Sequence, residues 1–170
     1  MVTVYLSLGS NVAREFHICA ALDALAERFG TLRISSVYES EAVGFAGEAF
    51  YNLVVGLETD LDLASLVAFL KQLEDANGRD RSQPKFSART LDIDVLLYGD
   101  QVGEVAGIRL PRAEITENAF VLRPLAEIAP DVVHPELKQT LGELWRAYRS
   151  PQKLWPIDFS WAGKVISRGD

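Results

Sequence analysis

The chain has 170 residues, a mass of 18.8 kDa, 48% hydrophobic and 24% charged residues, and a formal net charge of −7. That is a length for one folded domain with a proper core, and too apolar for a disordered chain. The acidic balance argues against a broad nucleic-acid surface, and no apolar run reaches the roughly 18 residues a bilayer span needs. A basic N-terminal region followed by an apolar stretch is also missing, so a cytoplasmic location is expected. The single cysteine, Cys19, has no partner for an internal disulfide and no cluster for zinc.

Residues 2–8 alternate, with Val2, Val4, Leu6 and Leu8 against Thr3, Tyr5 and Ser7, which predicts a strand ending at a Gly9-Ser10-Asn11 turn. Amides in that turn are candidates for an anion or ligand, although an ordinary helix cap explains it equally well. Residues 13–29 read as an amphipathic helix with a buried stripe of Phe16, Cys19, Leu22, Ala26 and Phe29, closed by Gly30. Residues 32–38 and 50–57 are β-rich, and residues 40–47 between them make a loop longer than a tight hairpin requires. Asp62 is placed to cap a second helix with the stripe Leu63, Leu66, Val67, Leu70 and Leu73, ending at Asn77-Gly78. A basic segment then leads into a strand over residues 91–98 and a turn at Gly99-Asp100.

The order βαββαβ predicts an α+β, ferredoxin-like core: a four-stranded antiparallel sheet with two helices on one face. Residues 119–129 and 140–148 have the spacing of two further helices, with Pro130 stopping the first. These observations divide the chain into one domain over residues 1–150 and a C-terminal extension over 151–170. Trp155 and Trp161 in that extension predict docking up to Trp161, with a mobile end from Lys164. His17 and His134 read as structural, and Cys19 as a small core residue.

The strongest chemical signal is Asp92-Ile93-Asp94. In a strand, Leu91, Ile93, Val95 and Leu97 face the helices while the two carboxylates share the opposite face, about 7 Å apart. Two neighbouring carboxylates suit one or two Mg²⁺ ions, completed by phosphates and water. The preceding residues 78–89 hold Arg79, Arg81, Lys85 and Arg89 against Asp80 alone, a net +3 in an acidic protein. Cations beside paired acids are the composition of a metal–polyphosphate site. Asn52 interrupts the run Phe50-Tyr51-Asn52-Leu53-Val54-Val55, where a buried amide needs partners; a flat heterocycle supplies them, and so does backbone.

Together, Tyr5-Leu6-Ser7-Leu8-Gly9-Ser10-Asn11, Ser36-Val37-Tyr38-Glu39-Ser40, Phe50-Tyr51-Asn52, Leu73-Glu74, Gly78-Arg79, Arg89-Thr90-Leu91-Asp92-Ile93-Asp94 and the stretch 120–130 resemble the 6-hydroxymethyl-7,8-dihydropterin pyrophosphokinases of folate biosynthesis. The resemblance runs in order over about residues 2–147. It implies a ferredoxin-like fold and transfer of pyrophosphate from MgATP to hydroxymethyldihydropterin, leaving AMP. It assigns two Mg²⁺ ions to Asp92 and Asp94, and phosphate neutralisation to Arg79, Arg81 and Arg89. Glu74 falls near the nucleotide, Asn52 and the backbone of Val43 and Gly44 read the pterin edge, and Phe120 stacks on the ring with Tyr51 or Phe50 nearby. The loops around residues 40–47 and 79–88 would close over the substrates.

Several positions depart from the family pattern. Phe86 stands where a tryptophan is common, Ser87-Ala88 replaces Gly-Pro, and Pro111-Arg112 replaces Pro-His. Ala113 stands where an aromatic is common, Asn118 where an arginine is, and Gly107 near another basic position. Arg109 and Arg112 are the candidates to restore positive charge on the nucleotide side. A different class of function, a pterin-binding regulatory or carrier module without kinase activity, fits the same pocket residues. An RNA-recognition domain does not, since only Tyr5 is available on the first strand and the net charge is negative. Monomer and homodimer are both compatible with the sequence.

Overall fold

The computed structural model describes residues 1–40, 49–78 and 90–169. Strand β1 (Val2–Ser10) leads into helix α1 (Arg14–Phe29), followed by two short strands, β2 (Arg33–Ile34) and β3 (Tyr38–Ser40). Strand β4 (Phe50–Thr59), helix α2 (Leu63–Ala76) and strand β5 (Asp92–Tyr98) complete the core. The sheet runs β5-β1-β4-β3, with β2 also on β4, and every pairing is antiparallel. This is the ferredoxin-like order expected from the sequence.

The expected strand over residues 32–38 is split by a bulge. Ser35, Ser36 and Val37 span only Leu53 and Val54 of β4, one residue more than the partner. Ser35 repairs the ladder there: its hydroxyl accepts the Val54 N–H at 2.9 Å, and its own N–H donates to the Val54 carbonyl at 3.0 Å.

One sheet face packs Val4, Leu6, Leu8, Leu53, Val55, Leu57, Ile93 and Val95 against α1 and α2. The buried stripe of α1 is Ile18, Ala21, Leu22 and Leu25. This corrects the stripe expected from spacing, because Phe16 is 68% exposed and Cys19 is only half-buried. The C-terminal hairpin described below lies over Cys19, whose Sγ sits 3.9 Å from the Ser160 carbonyl. Asp62 caps α2 as expected, accepting the Ser65 N–H at 2.8 Å.

The opposite face is covered. After the hairpin β6 (Gly103–Val105) and β7 (Ile108–Leu110), helices α3 (Glu114–Glu117), α4 (Ala119–Ile128) and α5 (Leu141–Ala147) bury Tyr5, Val54, Leu96 and Leu97. Leu97 thus lies opposite the face its parity predicts. A register shift between Tyr5 and Leu6 inserts Leu96 into β5 and reverses the alternation beyond it. Glu127 of α4 grips the bulged strand, accepting from the Ser36 N–H and hydroxyl and from the Tyr38 hydroxyl at 2.7–3.0 Å.

The extension is structured through Gly169. Strand β8 (Leu154–Pro156) adds to the sheet edge beside β3, and β9 (Phe159–Trp161) pairs with β10 (Lys164–Ser167). Docking up to Trp161 is found: Phe159 is 4% exposed, and the Trp161 indole donates to Asp23 at 2.8 Å. The mobile end expected from Lys164 is instead strand, because the buried Ser167 hydroxyl accepts the Val37 N–H and donates to the Ile157 carbonyl. Asp170 lies outside the described residues.

Candidate functional site

The site forms where four strands cross one transverse row. Asp92 of β5 pairs with Gly9 of β1, Gly9 with Asn52 of β4, and Asn52 with Tyr38 of β3. Residues paired this way point to the same face, so Asn52 and Asp92 stand on one surface about 10 Å apart, two strand spacings. Gly9 lies between them. A Cβ there would sit 3.2 Å from Asn52 Oδ1 and 3.7 Å from Phe50 Cδ1. The absent side chain therefore leaves a gap walled by an amide and an aromatic ring.

Two expectations need correction. The strand does not end at Leu8: Gly9 and Ser10 belong to β1 and pair with Asn52 and Tyr51, so Gly9 serves the sheet face rather than a helix-opening turn. Tyr51 does not share the face of Asn52. It packs on the other side, edge-on to Phe159 at 6.3 Å, with the Arg14 guanidinium 3.9 Å from its ring centre. Phe50, two residues before Asn52, is the aromatic on the pocket side. Strand parity was the signal that separates these two rings. Asn52 is 6% exposed and spends one amide hydrogen on Ser40 Oγ at 2.8 Å, leaving Oδ1 toward Gly9. Phe120, half-buried at the start of α4, packs against the core on this face.

Asp94 lies one step further along β5 on the same side, opposite Ser7. Burial and the neighbouring Asp92 push its carboxyl up to about 7, with Glu74 and Glu114 adding to the effect and Arg112 opposing it. Its side chain is 32% exposed, so water reaches the group and screens part of this repulsion. The Arg112 guanidinium lies 3.2 Å from Asp94 Oδ1, while its Nε donates to Glu114 Oε2 at 2.5 Å. Arg112 is itself tied to β5, its N–H donating to the Leu96 carbonyl at 3.1 Å.

The acid pair fits a hard divalent cation. It offers oxygen donors on one face, carries a repulsion that a cation relieves, and already attracts a guanidinium. No group of three or more His, Cys, Asp or Glu side chains forms a metal cage among the described residues. Two carboxylates would thus leave ligand positions for phosphate and water, as Mg²⁺ prefers.

Glu74, read as a residue near the nucleotide, is 5% exposed and accepts the Ile93 N–H at 2.8 Å, between the two aspartates. Arg109 is paired with Glu136 at 3.3 Å and is 60% exposed, so of the two candidate replacement cations the structure brings Arg112 to the acids. The Thr90 hydroxyl is buried just before Asp92 with no hydrogen-bond partner among the described residues. Val43, Gly44, Arg79, Arg81, Phe86 and Arg89 lie outside the described residues. His134 is structural, as expected: its buried Nδ1 accepts the N–H groups of Glu136 and Leu137. Sequence reasoning did not find Gln152, whose amide caps α4 by accepting the Ala119 N–H at 2.6 Å and donating to Glu117 and Asn118.

An α+β sandwich with paired aspartates on its edge strand and an amide-walled gap beside them defines a ferredoxin-like protein with a composite acid–amide site. Among known families, 7,8-dihydro-6-hydroxymethylpterin-pyrophosphokinase (HPPK) matches residues 5–130. Proteins named 2-amino-4-hydroxy-6-hydroxymethyldihydropteridine pyrophosphokinase are similar to it. The one from Aquifex aeolicus is 39% identical over 145 residues, 84% of this chain and 90% of its own length. Those from Haemophilus influenzae and Pseudomonas aeruginosa are 34% and 40% identical over 87% and 78% of this chain, and over 94% and 84% of their own lengths. The chain belongs to the HPPK family. The Plasmodium falciparum HPPK-DHPS crystal structure shares the fold, with a TM-score of 0.69 at 13% identity. The match covers 98% of this chain and 50% of that longer one. No helix among the described residues is long and apolar enough to cross a membrane.

Proposed function

We propose that the protein transfers the β,γ-pyrophosphoryl unit of ATP to 6-hydroxymethyl-7,8-dihydropterin, releasing AMP, as a cytoplasmic enzyme of folate synthesis. The observation that carries this reading is the row Asn52–Gly9–Asp92, which sets an amide-walled gap beside an acid pair on one sheet face. Family membership supplies the chemistry that such a pairing serves.

In this reading the pterin ring lies over Gly9, its edge read by Asn52 and the backbone of Val43 and Gly44. Phe120 and Phe50 bracket it, with Phe86 from the second loop. The hydroxymethyl oxygen then points along the row toward Asp92. That oxygen attacks the β-phosphorus of ATP and gives up its proton to solvent water. The bond from the β-phosphorus to the α,β-bridging oxygen breaks, and AMP leaves with that oxygen. Asp92 and Asp94 would hold two Mg²⁺ ions. When bound, these would supply positive charge against the triphosphate, so that an anionic phosphate can approach the hydroxyl. Arg79, Arg81 and Arg89 neutralise the phosphate oxygens as charge moves onto AMP. Arg112 and Arg109 supply cations on the nucleotide side, and Glu74 holds the strand that carries the acids. Residues 1–150 form the catalytic unit, with 151–170 as a C-terminal extension whose described residues brace it.

The test is AMP formation from MgATP and hydroxymethyldihydropterin, comparing wild type with Asp92→Ala. The expected loss is a hundredfold or more, since one metal anchor of a positioned polyphosphate disappears. A wild type no faster than the variant would overturn the kinase reading. Pterin binding without turnover would point instead to a binding module.

A further inference from the structure

Asp94 already has a cation. The Arg112 guanidinium lies 3.2 Å from Asp94 Oδ1 and is steadied from behind by Glu114 at 2.5 Å. All three side chains keep about a third of their surface exposed, so the cluster is reachable from solvent. An aspartate oxygen engaged by a guanidinium has a lone pair committed that a divalent ion would need.

We infer that Arg112 is a displaceable counter-ion: a divalent cation entering at Asp94 must break the Arg112–Asp94 ion pair. The inference rests on the metal role proposed above for Asp92 and Asp94. Freed from Asp94, the guanidinium keeps its Glu114 contact and its backbone tie to Leu96. It thus stays at the acid pair with donors available for an incoming phosphate. A triphosphate gives Arg112 a better partner and so eases entry of the metal. Metal and polyphosphate then bind with positive coupling, and that coupling is reciprocal by linkage. Arg112 is in this sense a positioning residue that makes the site resist bare metal and accept metal together with phosphate.

The experiment measures Mn²⁺ binding to the full chain by the electron-paramagnetic-resonance signal of free Mn²⁺, with and without a non-hydrolysable α,β-methylene ATP. Arg112→Gln should bind bare Mn²⁺ roughly two- to fivefold more tightly than wild type, the range expected for loss of a partly exposed competing pair. The gain in Mn²⁺ affinity produced by the nucleotide should shrink in the variant. Unchanged or weaker binding of bare Mn²⁺ by Arg112→Gln would overturn the inference. Asp92→Ala separates the two levels: if it leaves Mn²⁺ binding by wild type intact, the metal reading fails rather than the exchange. A second measurement needs only wild-type protein. The Arg112 side-chain NH resonances, assigned with Arg112→Lys, should shift on saturation with Mg²⁺, and unshifted resonances would equally overturn the inference.

Discussion

Glu74 Oε2 accepts the Ile93 N–H at 2.8 Å, tying α2 to the edge strand at the residue between Asp92 and Asp94. Ile93 pairs with Leu8, and among the described residues β1 is the one strand beside β5 in the sheet, so an amide on the outer edge of β5 needs a partner from elsewhere. A buried carboxylate is a strong acceptor, and losing it strands a buried donor. Glu74→Ala should therefore destabilise the protein by about 1.5–3 kcal/mol, and Glu74→Gln, which keeps an acceptor, by less. Urea denaturation checks the order; equal stability of all three proteins would refute the role.

Gly9 keeps the sheet face open between Asn52 and Asp92. The Cβ of Gly9→Ala would press on Asn52 Oδ1 at 3.2 Å and occupy the space over the strand. Gly9 lies in regular strand, where alanine costs the backbone nothing. The expected result is a thermal midpoint near that of wild type, with pterin affinity reduced about tenfold or more, the scale of one misplaced contact. Isothermal titration with the pterin and a melting curve read the two effects separately.

His134 sets the acid limit of the loop before α5. Its Nδ1 accepts two backbone N–H groups, at 3.3 Å from Glu136 and 3.1 Å from Leu137, which only the unprotonated nitrogen can do. Burial lowers its pKa, with Glu136 opposing. The unfolded chain therefore binds the proton more readily than the folded one. The stability His134 contributes is complete above pH about 6.5 and is lost as pH falls from there toward the folded-state value. His134→Asn should flatten the stability–pH curve across this window. A wild-type slope retained in the variant would exclude His134 as its source.

Phe159 makes the extension part of the core. It is 4% exposed and packs against Tyr51, on the sheet face opposite the site. Phe159→Ala should cost about 3–5 kcal/mol, the range for truncating a buried aromatic. A cost below 1 kcal/mol by chemical denaturation would show that residues 151–169 are dispensable for folding.

Much of this protein was legible in the chain itself. Alternation in residues 2–8, the stripe of α2 with its Asp62 cap, and the order of elements are local signals, and they define the ferredoxin-like core without tertiary information. Asp92 and Asp94 follow from strand parity alone, as does the pairing of Phe50 with Asn52. The covered sheet face was not legible, because α4 becomes a lid only once its apolar side meets Tyr5, Val54 and Leu97. Leu97 itself turned on a bulge, which arises from how two strands pair and leaves no periodic trace. The same holds for Lys164–Ser167, where a four-residue segment near the chain's end is strand because Ser167 finds buried partners in Val37 and Ile157.

The sequence by itself determined the acid pair, the basic segment before it and the family, because each resides in residues close along the chain. Tertiary structure decided which cation meets the acids. Arg109 and Arg112 are three residues apart and carry the same charge, yet one pairs with Glu136 at the surface and the other with Asp94. Charge can be counted along a chain, but an ion pair depends on distance and direction, and those exist only after β7 and the residues following it have packed against β5.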